Sequence, residues 1–382
     1  MVMDRPIRLA LEAVGIKHSG GATVLLDFLD EVERDSRIER VFLFCSERKR
    51  RLFTLECYSK VTEIEVLPAE SATGRLFWMN FGLSKAVAAL QLDVLLCFNG
   101  VGQGPSNIPK GCFVQQSLPF SREALGVSGP GDRVRCSVIR RMMRRSLRTA
   151  DFVFVQTPTM RSWIAEAFEI SRDRMAVVIP SVREFPVSDD PVFAPAMDTV
   201  PADRRLLYVG NTSNYKNVTC AIAGMKQVRQ RLPNAVLFLT WPPDHPACGV
   251  DGIVGLGYLT GSDLVGAYRA ASAFVLPSLV ESGNVTMMEA MSAGIPVLAA
   301  DRPYAHDLCE DAALFFDPRD SAAFARAAIE VLTDERLRSI LSRRGIELVQ
   351  RRRGNRPYRI LLDHLCRLAG SERAGAAFAA TS

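Results

Sequence analysis

The sequence has few residues of the types that bind metals or form disulfide frameworks. Among its 382 residues are only four histidines and nine cysteines. The cysteines are scattered singly and form no C-x-x-C pair, so the pattern favours neither a disulfide framework nor a zinc site. We therefore predict a cytoplasmic protein that works without a bound metal.

The sequence also lacks long hydrophobic runs. No stretch approaches the ~20 apolar residues that a membrane-spanning helix needs, and the N-terminal residues lack the apolar core of a signal peptide. Any membrane contact is therefore expected to be peripheral, on the inner face of the plasma membrane. Apolar residues make up 48% of the chain and charged residues 23%, with a net charge of +5. This composition is typical of soluble globular proteins.

Short apolar runs alternate with longer amphipathic runs along most of the chain, which predicts strands alternating with helices. We predict an α/β protein with two Rossmann-like, doubly wound parallel sheets that face a cleft. The first domain covers 1–182, and a segment rich in proline and aspartate, 183–204, is the linker. The second domain covers 205–355. We predict a C-terminal helix, 356–382, that ends in a flexible tail. The sequence leaves open whether this helix crosses back to the first domain.

Two glutamates lie eight positions apart in the stretch PSLVESGNVTMMEAMSAGIPVLAAD, residues 277–301. The stretch predicts a strand, a loop and a helix that Asn284 caps and Gly294 ends. The first N–H groups of such a helix point out at the carboxyl edge of the sheet. They form an anion site that suits a diphosphate.

The two glutamates themselves suggest a sugar. Glu281 precedes the predicted helix and Glu289 lies about one turn inside it. Carboxylates are unsuited to bind phosphate but accept strong hydrogen bonds from sugar hydroxyl groups. Either glutamate alone is better explained by the preference of acidic residues for the first turns of a helix. As a pair in this context, they favour a sugar site.

At this point the sequence resembles a known family. ESGNVTMMEAMSAGIPVLAAD resembles the Glu-x7-Glu signature of the retaining nucleotide-sugar glycosyltransferases of the GT-B fold, family four. LLYVGNTSNYKN is similar to the family's diphosphate loop, GIVGLGYLTGSDLVGAYRAASAFVLPSL to its nucleoside segment and SGGA to its glycine loop. The resemblance covers most of the chain and is stronger in its second half.

The resemblance implies a retaining hexosyltransferase that takes a UDP- or GDP-sugar as substrate and needs no cofactor or metal. Its acceptor would be a lipid-linked glycan in cell-surface polysaccharide or lipopolysaccharide synthesis. Glu281 would hold the donor sugar and Glu289 the ribose. Lys216 would neutralise the leaving diphosphate, where positive charge is needed on physical grounds as well.

The candidate residues fall into two groups. The resemblance makes Glu281 and Lys216 the catalytic candidates. The donor-binding candidates are Gly20, Gly21, Gly210, Asn211, Lys216, Glu281, Gly283, Asn284, Val285 and Glu289.

Some positions depart from the family pattern. Asn211 stands where the family usually has an arginine, and CFVQQSLPF offers Gln116 where the family often has a histidine. Gln116 and His18 are the acceptor-side candidates. GIKHSGG is not a G-x-G-x-x-G fingerprint, and Gly20 and Gly21 fit a tight turn as well as a close approach to a ligand.

The stretch DRVRCSVIRRMMRRSLRTAD predicts a helix with arginines on one face and apolar residues on another. Two interpretations are equally supported: a surface that meets anionic lipid, and a solvated helix that packs its apolar side on the sheet. Nucleic acid is not expected as a partner, because the stretch lacks interleaved aromatic residues. The membrane-surface candidates are Arg140, Arg141, Arg144, Arg145 and Arg148.

Two other functions stay open. One is a nucleotide-sugar epimerase of GT-B-like fold, which would need acid and base residues in the cleft but no acceptor. The other is a non-catalytic relative that only binds a sugar nucleotide, which the unusual Asn211 and the missing histidine would favour.

Overall fold

The computed structural model contains two compact units, each with its own parallel sheet. The structure describes residues 5–16, 20–46, 55–67, 71–182 and 195–380. The first unit comprises Met1–Phe120, Val134–Pro180 and Arg356–Ser382, and the second comprises Ser121–Arg133 and Ser181–Asn355.

The described part of the first unit has a seven-stranded sheet in the order β3-β2-β1-β4-β5-β6-β7. Its strands are β1 (Ile7–Glu12), β2 (Ile38–Cys45), β3 (Val61–Glu65), β4 (Val94–Cys97), β5 (Lys110–Val114), β6 (Phe152–Val155) and β7 (Met175–Val177). All neighbouring pairs are parallel. The central strands are runs of buried apolar residues, because helices cover both faces of such a sheet. The strand order reverses between β1 and β4, which makes their carboxyl ends the switch point of this sheet.

The second unit repeats this architecture with six described strands in the order β10-β9-β8-β11-β12-β13. They are β8 (Arg205–Tyr208), β9 (Val236–Leu239), β10 (Ile253–Gly255), β11 (Ala273–Leu276), β12 (Val297–Ala300) and β13 (Ala313–Phe316). All pairs are again parallel. The switch point lies between β8 and β11, whose following loops diverge and leave room for a ligand.

Helices connect these strands, as the amphipathic runs predict. The α-helices of the described residues are α1 (Gly20–Arg34), α2 (Ala72–Phe77), α3 (Leu83–Ala89), α4 (Arg122–Val127), α5 (Pro130–Arg148), α6 (Pro158–Phe168), α7 (Pro195–Asp198), α8 (Val218–Arg231), α9 (Gly261–Ala270), α10 (Val285–Ser292), α11 (Pro303–Cys309), α12 (Ser321–Thr333), α13 (Glu335–Gly354) and α14 (Pro357–Ala380). Side chains cap several of them; the hydroxyl of Thr157, for example, accepts from the N–H of Met160 at the start of α6. None of the described helices is long and apolar enough to cross a bilayer.

The two parallel-sheet α/β units confirm the predicted fold class, but the chain is divided differently from the predicted domains. Ser121–Arg133 clusters with the second unit, although the sequence placed it within the first domain, 1–182. Hydrogen bonds from α4 to loops of the second sheet, described below, are the physical reason. Most of the predicted linker, 183–194, lies outside the described residues.

The C-terminal residues form a helix, as the sequence predicts. Arg356–Ser382 clusters with the first unit, which is the option that the sequence left open, and α14 covers Pro357–Ala380. The residues after 370 include many alanines, the best helix formers. The flexibility of the tail stays a prediction.

Candidate functional site

Two loops meet at the switch point of the second sheet. One follows β8 and the other follows β11, and backbone contacts join them. The N–H of Leu279 donates to the carbonyl of Tyr215 at 2.9 Å, and Nδ2 of Asn217 donates to the carbonyl of Pro277 at 3.2 Å. Residues separated by about sixty positions in the sequence are therefore held side by side at the carboxyl edge of the sheet.

Lys216 and Glu281 form an ion pair across these two loops. Nζ of Lys216 lies 2.7 Å from Oε1 of Glu281, and the two side chains are only 16% and 10% exposed. Burial lowers the pKa of Lys216, but the Glu281 carboxylate outweighs it, so the pKa stands above its ordinary value of 10.5. The two loops thus hold a protonated amine and a carboxylate side by side at the carboxyl edge of the sheet. A single buried charge would be costly there, whereas the pair is compensated.

The N-terminus of α10 lies beside this pair. As predicted, Asn284 caps the helix, and its Oδ1 accepts from the N–H of Met287 at 2.8 Å. Gly294, predicted to end the helix, follows the C-cap residue Ala293 with a φ of +76°. The positive end of the helix dipole therefore points to the same edge as Lys216, which suits an anionic ligand.

Glu289 lies one turn inside α10 and has a hydrogen-bonding partner that the sequence analysis missed. The hydroxyl of Tyr268, in α9, donates to Oε2 of Glu289 at 2.9 Å. Burial and the neighbouring carboxylate hold the pKa of Tyr268 well above its ordinary value, so it remains a donor. Nothing in the sequence around Tyr268 distinguishes it from a core aromatic residue; only its spatial position reveals it.

Gly210 and Asn211 lie in the loop that follows β8, at the carboxyl edge of the second sheet. A Cβ at Gly210 would lie 2.5 Å from the hydroxyl oxygen of Tyr208. The Tyr208 hydroxyl group is held in place because it donates to the carbonyl of Asn211 at 3.0 Å. No larger residue than glycine fits here without displacing Tyr208. Asn211 uses its side-chain oxygen within its own loop, where it accepts from the N–H of Ser213 at 2.9 Å.

The other candidates lie in the first unit. Gly20 and Gly21 are the first two residues of α1, and Gln116 is half-buried in the loop that follows β5. His18 lies outside the described residues. Roles for these four residues in ligand binding stay predictions.

The basic stretch forms the single helix α5, as predicted. Cys136, Met143 and Leu147 are buried on one side, so part of the apolar face packs into the protein, whereas Val134 and Val138 are exposed. All five membrane-surface candidates are exposed: Arg140, Arg141, Arg144, Arg145 and Arg148. Arg140 also contacts its own protein, because its guanidinium lies over the rings of Phe120 and Phe168. The same helix therefore has both exposed arginines and buried apolar side chains. Its contact with lipid stays a prediction.

A second polar cluster in the second unit was not foreseen. Glu123 of α4 accepts from Nε and Nη2 of Arg302, at 2.9 and 2.6 Å, and from Nε of Arg319 at 2.9 Å. Burial raises the pKa of Glu123, but the two arginines more than offset it and lower the pKa below its ordinary value. The Val127 carbonyl, on the same helix, accepts from Nδ2 of Asn214 at 3.1 Å.

These contacts attach α4 to the loops that follow β8, β12 and β13. Asn214 begins the 3₁₀ turn Asn214–Lys216 that carries the predicted catalytic lysine. The partners of Glu123 are 179 and 196 positions away in the sequence. No local pattern could have predicted those contacts.

Comparisons with known proteins agree with this architecture. Residues 203–334 match the family model described as Glycosyl transferases group 1. The chain is similar to O-antigen chain mannosyltransferase B of Escherichia coli, 28% identical over 57% of this chain, and the match spans 60% of that protein's own length. It is also similar to O-antigen chain mannosyltransferase RfbU of Salmonella typhimurium, 22% identical over 85% of this chain and 91% of the relative.

The fold is also similar to that of solved structures. Anabaena HepE in complex with UDP-glucose superposes with a TM-score of 0.69 at 15% identity, covering 94% of this chain and all of that one. Sucrose-phosphate synthase from Thermosynechococcus elongatus superposes with a TM-score of 0.67 at 18% identity, again over 94% of this chain. At these identities the likeness concerns the fold alone.

Proposed function

We propose that this chain, whose residues 203–334 match the family model described as Glycosyl transferases group 1, transfers a hexose from a UDP- or GDP-sugar to a glycan acceptor. The acceptor is a lipid-linked glycan of cell-surface polysaccharide or lipopolysaccharide, and the anomeric configuration is retained. The Lys216–Glu281 pair beside the N-terminus of α10 carries this assignment. The O-antigen mannosyltransferases among the relatives support the acceptor class, and UDP-glucose bound to the structural neighbour HepE supports the donor class.

In this proposal the donor diphosphate binds where β8 and β11 end. The α10 N-terminus and the Lys216 ammonium supply the positive charge that the diphosphate requires. The Glu289 carboxylate accepts hydrogen bonds from the ribose hydroxyls, and Tyr268 fixes its orientation. Glu281 exchanges part of its interaction with Lys216 for the hydroxyl groups of the donor sugar.

The chemical step needs no protein nucleophile. The bond between the anomeric carbon and the diphosphate oxygen breaks, and the bond to the acceptor oxygen forms on the same face of the sugar. The acceptor proton passes to the departing diphosphate oxygen. Negative charge grows on the diphosphate as this happens, so the ammonium group of Lys216 stabilises the transition state more than the bound donor.

The first experiment is a thermal melting panel with UDP, GDP, ADP, TDP, NAD and FAD. A ligand at about a hundred times its Kd stabilises the folded state by ~2.7 kcal/mol, which is visible as a melting shift. We expect a shift with UDP or GDP. A shift with NAD or FAD only would contradict the proposed function.

The second experiment follows donor turnover and product formation by mass spectrometry, with the nucleotide fixed by the first. We expect Glu281→Gln to lose transfer by about 100-fold or more while nucleotide binding largely survives. Glu347→Gln, an exposed carboxylate on α13, is the matched control and should be fully active. Unchanged transfer in Glu281→Gln would overturn the site assignment, and conversion of the donor to its epimer without acceptor would replace transfer by epimerisation.

A further inference from the structure

The loop after β8, which carries the predicted catalytic lysine, is held from the core of the second unit by buried side chains. The hydroxyl of Thr240 accepts from the N–H of Gly210 at 3.0 Å, and Nε1 of Trp241 donates to the carbonyl of Gly210 at 3.0 Å. The Tyr208 hydroxyl donates to the next carbonyl along the chain, that of Asn211, at 3.0 Å. The rings of Tyr208 and Trp241 meet edge to face, with centroids 6.1 Å apart, so packing fixes the two donors themselves.

The loop after β11, which leads to the predicted catalytic glutamate, is held by a donor of the same kind. Tyr304 in α11 is only 1% exposed, and its hydroxyl donates to the carbonyl of Ser278 at 2.7 Å. Ser278 is itself completely buried. Its neighbours Pro277 and Leu279 are the residues that contact the loop after β8. Three consecutive residues shortly before Glu281 therefore have their backbones held by hydrogen bonds.

The two phenol groups lie near the Lys216–Glu281 ion pair. Burial raises the pKa of both Tyr208 and Tyr304, and the charge of Glu281 raises both further. The charge of Lys216 acts on the pKa of Tyr208 in the opposite direction. Because both pKa values stay above the ordinary value for tyrosine, both phenols remain protonated at neutral pH and act as hydrogen-bond donors.

Filling the core does not by itself require these hydroxyl groups. A buried hydroxyl costs free energy unless it is hydrogen-bonded, and phenylalanine would fill nearly the same volume without that cost. The hydrogen bonds that compensate this cost end on the two loops that hold the ion pair, one on each loop. The hydroxyl of a third buried tyrosine, Tyr268, contacts Glu289 and the carbonyl of Thr286 at the same edge. The hydroxyl groups of these three tyrosines are thus concentrated at the candidate site.

We propose that Tyr208 and Tyr304 are positioning residues for the transfer reaction. Each hydroxyl group fixes the backbone of one loop, so that the Lys216 ammonium and the Glu281 carboxylate keep their relative position while the donor is bound. Such preorganisation matters because groups that stabilise charge in a transition state act best when they need not move. The inference rests on the proposed function, but the effect of the hydroxyl groups on the ion pair can be measured without it.

The first test removes one oxygen atom at a time, in Tyr208→Phe and Tyr304→Phe, and leaves the rings in place. We expect kcat for transfer to fall by about 10-fold in each variant, because small displacements of positioned groups are costly in the transition state. KM for the donor should stay within about twofold, since uniform binding of the donor is unchanged. Each melting temperature should stay within about 4 °C of that of the original chain, the loss expected for one hydrogen bond.

Tyr358→Phe is the matched control. Tyr358 is buried in the first unit, and none of the described residues accepts a hydrogen bond from its hydroxyl group. We expect kcat of this variant to stay within about twofold of that of the original chain, because no hydrogen bond is lost. An equal loss of kcat in the control would assign the effect to the general packing of buried rings and overturn the proposal. Unchanged kcat in both loop variants would overturn it as well.

The second test measures the ion pair itself and needs no activity. Urea unfolding of Lys216→Met, Glu281→Gln and the double variant gives the coupling energy of the pair, first in the original chain and then in the presence of Tyr304→Phe. We expect the coupling energy to fall by about half when the hydroxyl group is absent. A merely structural tyrosine would lower the stability of all the chains equally. The coupling energy would then be unchanged, which would overturn the positioning role.

The two tests together separate this inference from the proposed function. If the original chain transfers no sugar and shows no melting shift with UDP or GDP, the proposed function fails. The coupling energy then decides alone: a lower value would support the positioning of Lys216 against Glu281, and an unchanged value would overturn it. If the original chain is active, a loss of kcat without a loss of coupling energy would contradict the positioning role and leave the proposed function intact.

Discussion

The two sheets place very different side chains at equivalent edges. At the switch point of the second sheet, a lysine and a glutamate form a 2.7 Å ion pair beside a helix N-terminus. At the switch point of the first sheet, the amide of Asn99 is buried against Gly15. The carboxylate nearby, Glu12, accepts from the N–H of Val14 in its own loop.

The difference shows that the parallel sheet supplies a location and the side chains supply the chemistry. Charge at the second edge suits a diphosphate whose negative charge increases during reaction. At the first edge, the Asn99 amide packs against Gly15 and the Glu12 carboxylate is occupied by the N–H of Val14, so these side chains serve contacts within their own unit. We therefore expect substitutions at the second edge to affect the rate of the chemical step, and those at the first edge to affect binding and stability.

The largest effect is expected from Lys216→Met. In the proposed reaction the variant would lack the ammonium group that stabilises the leaving diphosphate, and kcat for transfer should fall by roughly 100-fold. Gln116→Ala, in the first unit, should change KM for the acceptor more than kcat. Steady-state kinetics with both substrates varied will distinguish the two. If Gln116→Ala lowered kcat as strongly as Lys216→Met, the contrast between the edges would be wrong.

The same lysine should matter for stability. Lys216→Met leaves the Glu281 carboxylate buried without its partner and should lower the free energy of unfolding by about 3 kcal/mol. The double variant with Glu281→Gln should recover part of this loss, which urea unfolding can measure. Since the pKa of Lys216 is raised in the folded state, the stabilisation is complete below its ordinary value of 10.5 and is lost as pH rises through the raised pKa. Equal stability of the single and double variants would contradict the pairing.

At the first edge, Gly15→Ala tests close packing instead of charge. A Cβ at Gly15 would lie 2.5 Å from Nδ2 of Asn99, so the substitution should destabilise the chain by about 1–2 kcal/mol. Asn99→Ala in the same chain should relieve the clash, and the double variant should be more stable than the sum of the single effects predicts. Simple additivity in thermal or urea unfolding would show that Asn99 moves aside without cost.

A smaller effect is expected at Glu123, which joins α4 to the second sheet through Arg302 and Arg319. Glu123→Gln should lower stability at neutral pH by about 1 kcal/mol, because one partner is largely exposed. The pKa of Glu123 is lowered in the folded state, so its contribution is present above the ordinary value of 4.5 and is lost as pH falls through the lowered pKa. The difference between the two chains should therefore shrink below about pH 4.5. A difference that stays constant down to acid pH would assign the effect to packing instead of charge.

The smallest effect is expected from Tyr268→Phe. The hydroxyl of Tyr268 orients Glu289 through one hydrogen bond, so its loss should cost about 1 kcal/mol. We expect this as an increase of roughly fivefold in the nucleotide Kd, measured by calorimetry. An unchanged Kd would mean that Glu289 does not bind the nucleotide.

The sequence alone determined the parts of this protein that depend on local pattern. Alternation of apolar and amphipathic runs predicted two parallel-sheet units, because the strand and helix periods differ and can be read along the chain. The cap at Asn284 was predictable, since a cap involves residues only three positions apart.

The tertiary structure decided the parts that depend on distant pairing. Lys216 and Glu281 are 65 positions apart, and only the parallel packing of β8 on β11 brings their charges into contact. Glu123 contacts Arg302, which is 179 positions away in the sequence. Because of such contacts, α4 belongs to the second unit, although the predicted domain boundary placed it in the first domain. The sequence pattern carries no record of such contacts, because hydrogen bonds and ion pairs act over a few ångströms of space, whatever the separation along the chain.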